Sequence, residues 1–463
     1  MRRALAALAL TLSLTAPAAA VTQGEMDRWV AGFRADALAQ GIRADVFDAA
    51  FAGLTPDPKV VRLDRKQPEF VKPIWEYLKS AVSETRIANG RKKLAAHRDV
   101  LARIEQAYGV DAGVVLGIWG LESAYGAFYG DHDVIRALAT LAVDGRREKF
   151  AREQIVAALR IIQQGDVGAD GLKGSWAGAM GHVQFIPTSY HAYAVDFTGD
   201  GRRDLWSDDP SDALASAANY LARRGWRPGQ PAFIPVRLPR GVDWAALDGS
   251  KRPASHWATI GVTRMDGSAV PDHGPAGVII PAGARGPAFM TFHNFGVIKT
   301  YNNADSYAMG VAELGRRIGG GGPVALRWPE GDRPLNRAEK REMQTALTAM
   351  GFDTQGVDGK FGPDSRRALR RFQASRGMPA DGYASEFTLD ALRRAASGNE
   401  GVNAEQVRLI QLRLNERGYD VGAADGVAGP RTRAAILAFQ RAAGQPASGQ
   451  PSVALLQALA LGD

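Results

Sequence analysis

One carboxylic acid stands alone in its part of the sequence. Glu122 follows a run of apolar residues and glycines, and no other charged side chain lies between Asp111 and Asp131. A helix that is apolar all round is normally buried, so this carboxyl is expected at the edge of a packed core. Desolvation there raises the pKa of the carboxyl, as a general acid working near neutral pH requires. The alternative is a solvated glutamate at a helix end, with Gly126 as the C-terminal stop.

Residues 173–187 are dense in small side chains, which allow a backbone and a ligand to approach each other closely. Ser175 and Gln184 supply hydrogen-bonding groups within this segment. It predicts either the wall of a binding cleft or a tightly packed crossing of two helices.

Oxygen-bearing side chains follow one another between Asp196 and Asp204. They occupy positions 1, 3, 5 and 9 of an EF-hand calcium loop, with glycine at position 6. Position 12, where a bidentate acid is expected, is Ser207. Three later acids could close a longer loop: Asp208, Asp209 and Asp212. The alternative is a polar Asx-turn loop without an ion.

Aromatic and amide side chains cluster near residue 300. They are Asn294, Phe295, Tyr301, Asn302, Asn303 and Tyr307. Rings against sugar faces with amides at the rim are typical of a carbohydrate cleft. Aromatic residues at helical spacing are more often part of a core, and the residues alone favour that interpretation.

These side chains need elements to position them. The first half of the block before residue 319 is mainly helical by periodicity, for example over 70–88 and 148–164. Residues 233–295 are richer in proline, glycine and β-branched residues, and 277–280 is predicted as a strand. The pattern predicts an α+β fold, predominantly α, with a small β-containing insertion.

The last third of the chain contains a tandem repeat with a period of 67 residues. The matching pairs include Gly351 with Gly418, Asp358-Gly359 with Asp425-Gly426, Gly362-Pro363 with Gly429-Pro430, and Phe372-Gln373 with Phe439-Gln440. Each copy predicts a helix, a glycine-rich loop and a second helix that begins at the proline. Neither copy offers a nucleophile and base, so both are interpreted as binding modules.

Composition and the N-terminus predict an exported protein of several domains. The chain has 463 residues with 45% hydrophobic and 23% charged residues, as in globular proteins. Arg2 and Arg3, the apolar stretch 4–14 and an Ala-x-Ala site predict a signal peptide cleaved after Ala20. An uncleaved membrane anchor is the alternative, but the apolar stretch is short for a bilayer.

Cysteine usage and charge narrow the partners. The chain has no cysteine, so we expect no disulfides and no lipidated N-terminal cysteine. The net charge of +8 suits cell-wall carboxylates or anionic lipid rather than nucleic acid, since no long basic block is present. A soluble periplasmic location is therefore expected.

Several runs together resemble the lytic murein transglycosylases of the B family. They are Glu122-Ser123-Ala124-Tyr125-Gly126, the run 178–190, the loop 196–206, Asn219-Tyr220, Tyr301-Asn302 and the earlier Gln67-Pro68-Glu69-Phe70. The resemblance covers roughly residues 24–318. The repeats resemble the three-helix peptidoglycan-binding domain through Asp-Gly-x-x-Gly-Pro. We therefore expect a signal peptide at 1–20, a catalytic domain at 21–318, a flexible Gly/Pro linker at 319–335 and binding domains at 336–396 and 403–463.

The resemblance implies a lysozyme-like domain that cleaves between N-acetylmuramic acid and N-acetylglucosamine in peptidoglycan glycan strands. The family's catalytic acid falls on Glu122. Its substrate-binding residues fall on Ser175, Gln184, Tyr220, Tyr301, Asn302 and Tyr307, and its paired arginines on Arg146 and Arg147. Its calcium loop falls on Asp196, Thr198, Asp200, the Arg202 carbonyl and Asp212, here extended by residues 207–209. The family implies no required cofactor, and calcium would be structural.

A single acid is sufficient if the substrate supplies the second group. Glycosidases ordinarily use two carboxylates, whereas an N-acetyl sugar can use its own acetamido group. The expected product then carries a 1,6-anhydro ring. The alternatives are a hydrolytic muramidase and a non-catalytic wall-binding protein. A zinc peptidase is disfavoured because the seven histidines form no His-Glu-x-x-His motif.

Overall fold

The computed structural model describes residues 21–65, 72–247, 249–324, 326–397, 402–445 and 447–460. This part of the chain is mostly helical with small antiparallel sheets, which confirms the predicted fold class. The predicted signal peptide and the run 67–70 lie outside the described residues. Among the described residues, no helix combines the length and apolar character that a bilayer crossing requires.

The chain divides into two compact units, Met1–Gln67 with Thr85–Arg224 and Pro68–Glu84 with Gly225–Asp463. The elements of the first are α1 Gln23–Ala39, α2 Ala44–Phe51, α3 Pro58–Arg65, α5 Glu84–Ala96, α6 Arg98–Tyr108, α7 Ala112–Ser123, β1 His132–Asp133, α8 Val134–Asp144, α9 Glu148–Gln164, β2 Lys173–Gly174, α10 Pro187–Tyr193 and α11 Ser211–Arg223. Those of the second before residue 319 are α4 Ile74–Ala81, β3 Phe233–Arg237, α12 Ala254–Thr259, β4 Thr263–Arg264, β5 Gly277–Ile279, β6 Ala288–Thr291, α13 His293–Tyr301 and α14 Asp305–Ile318.

Two of the predicted helical segments had different outcomes. Helix α9 spans Glu148–Gln164, as predicted. The described part of 70–88 is mainly helical, as predicted, but it is divided into two helices, because α4 ends at Ala81 and α5 begins at Glu84. The break falls at Val82, whose backbone leaves the helical region, and Ser83. Serine just before a helix favours a new N-terminus, which a periodicity argument does not register.

The predicted β-containing insertion is a four-stranded antiparallel sheet in the order β4-β3-β6-β5. Ile234 of β3 pairs with Met290 of β6, which pairs in turn with Val278 of β5. One face of the sheet buries Val236, Val278 and Met290 against Trp257 of α12. The strands alternate inward and outward side chains, so this face forms a separate small core.

Each repeat is a three-helix unit. Their helices are α15 Arg337–Ala349, α16 Pro363–Ser375 and α17 Glu386–Ser397, then α18 Ala404–Glu416, α19 Pro430–Ala442 and α20 Val453–Ala460. Gly351 (φ 85°) and Gly418 (φ 81°) lie just past the first helices, as predicted. Buried Gln344 and Gln411 hold the loops identically: each accepts from a glycine N–H, at Gly359 and at the matching glycine of the second copy, at 2.8 Å.

The segment between the sheet-bearing domain and the repeats is packed over its second half. The ring of Trp328 lies 6.0 Å from both Trp75 and Phe289, measured between centroids. Buried Asp332 accepts hydrogen bonds from the backbone of Arg333 and Phe387. Trp328 and Asp332, both within the predicted linker 319–335, therefore contact residues outside it.

Candidate active site

Glu122 is the penultimate residue of α7, a helix that is buried along most of its length. Val115, Ile118 and Trp119 are at most 1% exposed, whereas Glu122 is half-buried. The all-round apolar sequence therefore places this carboxyl at the edge of a core, as predicted. Tyr125 closes the underside of the helix, where only the absence of a side chain at Gly120 leaves room for its ring.

The helix ends on an unusual backbone. Ala124 (φ 50°), Tyr125 (φ 63°) and Gly126 (φ 81°) are all left-handed. The alternative in which Gly126 stops the helix is wrong, since α7 ends at Ser123 and Ala124 is its C-cap. Non-glycine residues in this region are strained and persist where the surroundings impose them, often at functional sites.

Residues 175–186 form turns joined by single bridges rather than a crossing of helices, which makes that alternative wrong. The Ser175 hydroxyl accepts from the backbone N–H groups of Ala177 and Ala179. The Gln184 amide donates to the carbonyls of Tyr129 at 2.9 Å and Gly181 at 3.0 Å, and its own backbone has φ 50°. The segment is therefore a loop ordered by hydrogen bonds, and it carries two of the predicted site residues, Ser175 and Gln184.

Tyr220 belongs to an aromatic cluster. It is buried on α11, 4.5 Å from Tyr193 and 5.8 Å from Phe185 between ring centroids, and Arg224 lies over it. Much of this ring therefore serves packing.

Arg146 and Arg147 share one partner that the sequence reasoning missed. Their Nε atoms lie 3.0 and 2.9 Å from the two oxygens of Asp64, whose side chain is fully buried. Neither Asp64 oxygen accepts a hydrogen bond from the described residues, so these two contacts are ion pairs. Arg147 also lies over the ring of Trp176, 5.8 Å from its centroid. The arginine pair is thereby attached to the loop that carries Ser175.

The acidic loop converges on three carboxylates. Ligand oxygens of Asp196, Asp200 and Asp212 lie within 4.8 Å of one another, so among the described residues Asp212 and not Asp208 or Asp209 joins the cluster. Burial raises the pKa of Asp212 despite backbone hydrogen bonds to it. Asp209 accepts instead from Ser211 at the start of α11, and Asp204 caps a turn. Three hard oxygen donors at this spacing fit a calcium ion.

The remaining predicted residues belong to the second unit. Tyr301 stacks on buried Tyr307 with ring centroids 6.4 Å apart, and Asn302 is the exposed C-cap of α13. Buried Asn294 holds backbone groups of Arg227, so this amide is structural. Tyr307 is core, as the residues alone favoured, whereas Tyr301 and Asn302 remain accessible.

His182, a residue of the segment 173–187, is buried next to the end of α7. Its ring contacts Trp119 and Ser207. No sequence signal identified it, because a histidine within a small-residue run carries no pattern of its own.

Comparison with known proteins identifies the class. The transglycosylase SLT domain model matches residues 25–316, and a peptidoglycan binding domain model matches 336–392 and 403–459. The chain is 33% identical over 261 residues to membrane-bound lytic murein transglycosylase B of Escherichia coli K12, covering 55% of this chain and 70% of that protein.

Solved structures of lytic transglycosylases are also similar to this chain. SltB3 from Pseudomonas aeruginosa, in complex with NAG-anhNAM-pentapeptide, is 48% identical with a TM-score of 0.76, over 80% of this chain and 99% of that one. Escherichia coli Slt35 in complex with calcium is 29% identical with a TM-score of 0.56, over 63% of this chain and 92% of that one. The chain belongs to the transglycosylase SLT-domain family and is an enzyme homologous to the lytic murein transglycosylases, followed by two peptidoglycan-binding domains.

Proposed function

We propose that this enzyme cleaves the β-1,4 bond from N-acetylmuramic acid to N-acetylglucosamine and leaves a 1,6-anhydro end, with Glu122 as acid and then base. The observation that carries this is the position of Glu122: a half-buried carboxyl at the end of a buried apolar helix, in a segment with no second acid. SltB3 was solved with NAG-anhNAM-pentapeptide, and anhNAM is the end group this reaction leaves.

The reaction balances with one carboxyl. Glu122 donates its proton to the leaving glycosidic oxygen while the acetamido carbonyl of the muramoyl residue attacks the anomeric carbon. The resulting Glu122 carboxylate then takes the proton of the muramoyl 6-hydroxyl, whose oxygen forms the anhydro bond and expels the acetamido oxygen. One carboxyl serves as the acid in the first step and as the base in the second. Both of its protonation states must therefore be accessible at the working pH.

Accessible polar groups are proposed to hold the glycan. We assign Tyr301 and Asn302 to the acetamido group, and Ser175, Gln184 and the exposed parts of Arg146 and Arg147 to the strand. Tyr220 and Tyr307 are buried: Tyr307 stacks on Tyr301, and Tyr220 packs against Phe185, the residue after Gln184. Peptidoglycan glycan strands are the proposed partner of both repeats, and the periplasm, reached through a signal peptide, is the proposed location.

Product analysis tests the reaction. Purified peptidoglycan digested with wild-type enzyme should release muropeptides one water lighter than hydrolysis products, detected by mass spectrometry. Glu122→Gln keeps the shape of the side chain and should lower the rate by about 10²- to 10⁴-fold without changing the melting temperature. Reducing-end sugars alone would establish the hydrolytic muramidase, and an inactive wild type that still binds the wall would establish a binding protein.

Calcium at the acidic loop is proposed as a structural ion. Asp196, Thr198, Asp200, the Arg202 carbonyl and Asp212 would hold it, and its charge would offset the repulsion among the three carboxylates. Calcium should raise the melting temperature and EGTA should lower it, because a ligand that binds only the folded state stabilises it. Asp212→Asn should abolish this difference, whereas Asp208→Asn should retain it. Equal calcium responses in the two variants would contradict the ligand set.

A further inference from the structure

His182 makes four hydrogen bonds at the point where the catalytic helix meets the segment after the acidic loop. On the helix side, its Nδ1 accepts from Trp119 Nε1 at 3.1 Å and its carbonyl accepts from Ser123 Oγ at 2.7 Å. On the loop side, its backbone N–H donates to the Leu205 carbonyl at 2.9 Å, and Nε2 lies 2.8 Å from the Ser207 carbonyl. Every polar group of the residue is used.

These contacts require one tautomer. The indole N–H of Trp119 can only donate, so Nδ1 of His182 must be unprotonated. The Ser207 carbonyl can only accept, so Nε2 must carry the hydrogen. The ring is therefore neutral with its hydrogen on Nε2, and no other arrangement satisfies both partners.

The surroundings leave the ring no room to move. A side chain at Gly126 would overlap the imidazole, and one at Gly181 would overlap the Leu205 carbonyl. The Trp119 indole and the Tyr129 ring lie 5.8 and 5.3 Å from the imidazole, between centroids. Close packing on all sides transmits a displacement rather than absorbing it.

The loop side of His182 is anchored in turn. Asp212 accepts from the backbone N–H of Asp204 at 3.0 Å, and Asp204 precedes Leu205. Contacts therefore run without interruption from the acidic loop through Leu205 and His182 to Ser123, the residue after Glu122. Ser207, which supplies the carbonyl for Nε2, is the residue at the position where an EF-hand loop carries its bidentate acid.

We propose that His182 is a positioning residue of the transglycosylase reaction: its neutral ring and backbone hold the end of α7, and with it the Glu122 carboxyl, in register with the segment Asp204 to Ser207. The inference rests on the proposed role of Glu122. A shift of about 1 Å in a catalytic group can cost about 100-fold in rate, so this support matters for turnover and less for substrate binding.

Matched variants test the inference. His182→Phe keeps a ring and removes both ring hydrogen bonds, and Trp119→Phe removes one of them from the other side. His191→Phe is the control: His191 is a partly buried histidine of the same unit, with a 2.8 Å contact to the Ala157 carbonyl. We expect His182→Phe to lower kcat about 10- to 100-fold with KM little changed. The control should lose stability but keep kcat, measured below the melting temperature of each variant.

A double-mutant cycle and histidine NMR complete the test. The double variant of Trp119 and His182 should be no slower than His182→Phe alone, since both changes remove the same contact. In ¹⁵N-histidine-labelled wild type, the signal that disappears in His182→Phe should show the Nε2–H tautomer. Equal kcat losses in the His182 and His191 variants, additive effects in the cycle, or an Nδ1–H tautomer would each overturn the inference. Full activity of Glu122→Gln would instead overturn the proposed function, while the NMR result would still report on His182.

Discussion

At the residue scale, two glycines shape the end of α7, the helix that carries Glu122. Gly120 admits the Tyr125 ring and Gly126 admits the His182 ring, so two glycines allow aromatic groups to close around the end of α7. Burial raises the pKa of the Tyr125 hydroxyl, which donates to the Arg86 carbonyl at 2.8 Å. Tyr125 is thus a neutral structural group and no competitor for proton transfer at Glu122.

Gly126→Ala should destabilise the enzyme and lower its activity. The new methyl group would overlap the His182 ring at φ 81°, which combines overpacking with left-handed strain. We expect a loss of about 2–4 kcal/mol in the free energy of unfolding, measured in denaturant. Gly145→Ala is the matched control, because it has φ 80° and open space around it. Equal losses in both variants would show that the His182 contact contributes nothing.

Asp64→Asn should lower the stability of the enzyme and weaken glycan binding, because Asp64 is the shared partner of Arg146 and Arg147. The fully buried carboxylate faces two guanidinium groups that are 43% and 42% exposed, so its removal leaves adjacent cations with only partial solvation. We expect a loss of about 2 kcal/mol in the free energy of unfolding and a higher KM for glycan. Asp48→Asn, which breaks an exposed pair with Arg34, is the control and should change little. An unchanged stability would show that Asp64 is not the anchor of the pair.

At the scale of elements, the first unit relies on histidines that are held neutral. Burial lowers the pKa of His182 and of His191, and nearby Lys93 and Arg203 respectively act in the same direction. Backbone hydrogen bonds and the acids around them, Asp204 and Asp208 at the former and Asp166 at the latter, only partly oppose this.

Stability should therefore fall as the pH decreases through 6.5, the ordinary pKa of histidine. Below that pH the unfolded chain binds protons that the folded histidines do not, which favours unfolding. Denaturant titrations between pH 7.5 and 5.5, in EGTA so that calcium binding does not contribute, should show a falling midpoint. His191→Gln should flatten the dependence, since it removes one of these groups. A midpoint that rises toward pH 5.5 would contradict the neutral assignment.

At the scale of the whole molecule, the two repeats are built on the same internal device. In each, a buried glutamine bridges the first helix and the Asp-Gly loop, and in the second copy Gln411 also donates to Asp425 and Thr432 at 3.0 Å. These hydrogen bonds fix the conformation of the loop, and the buried glutamine itself does not present a ligand-binding group. Binding to the wall and cleavage of the glycan should therefore be separable.

Gln411→Ala should lower binding to intact sacculi while leaving kcat on soluble muropeptide chains unchanged. Loss of its hydrogen bonds leaves buried partners unsatisfied, at a cost of about 1–3 kcal/mol to this repeat. Pelleting with sacculi measures the binding, and turnover of soluble chains measures the catalysis. Glu416→Gln, at an exposed position of the same helix, is the control. Parallel losses of binding and turnover would show that the repeat also supports catalysis.

The sequence by itself determined the local and repeated features. The apolar run before Glu122, the 67-residue period and the helix 148–164 are read from neighbours along the chain, which is where periodicity and capping act. The tertiary structure alone decided that Asp64 meets the arginine pair and that His182 meets the end of α7. It also selected Asp212 from the three acids that the residues of the loop left open. A buried histidine or aspartate carries no pattern in sequence, because its partners are chosen by packing between segments tens of residues apart. The position of Glu122 at the edge of a core was therefore predictable, whereas the contacts of His182 at the end of the same helix were not.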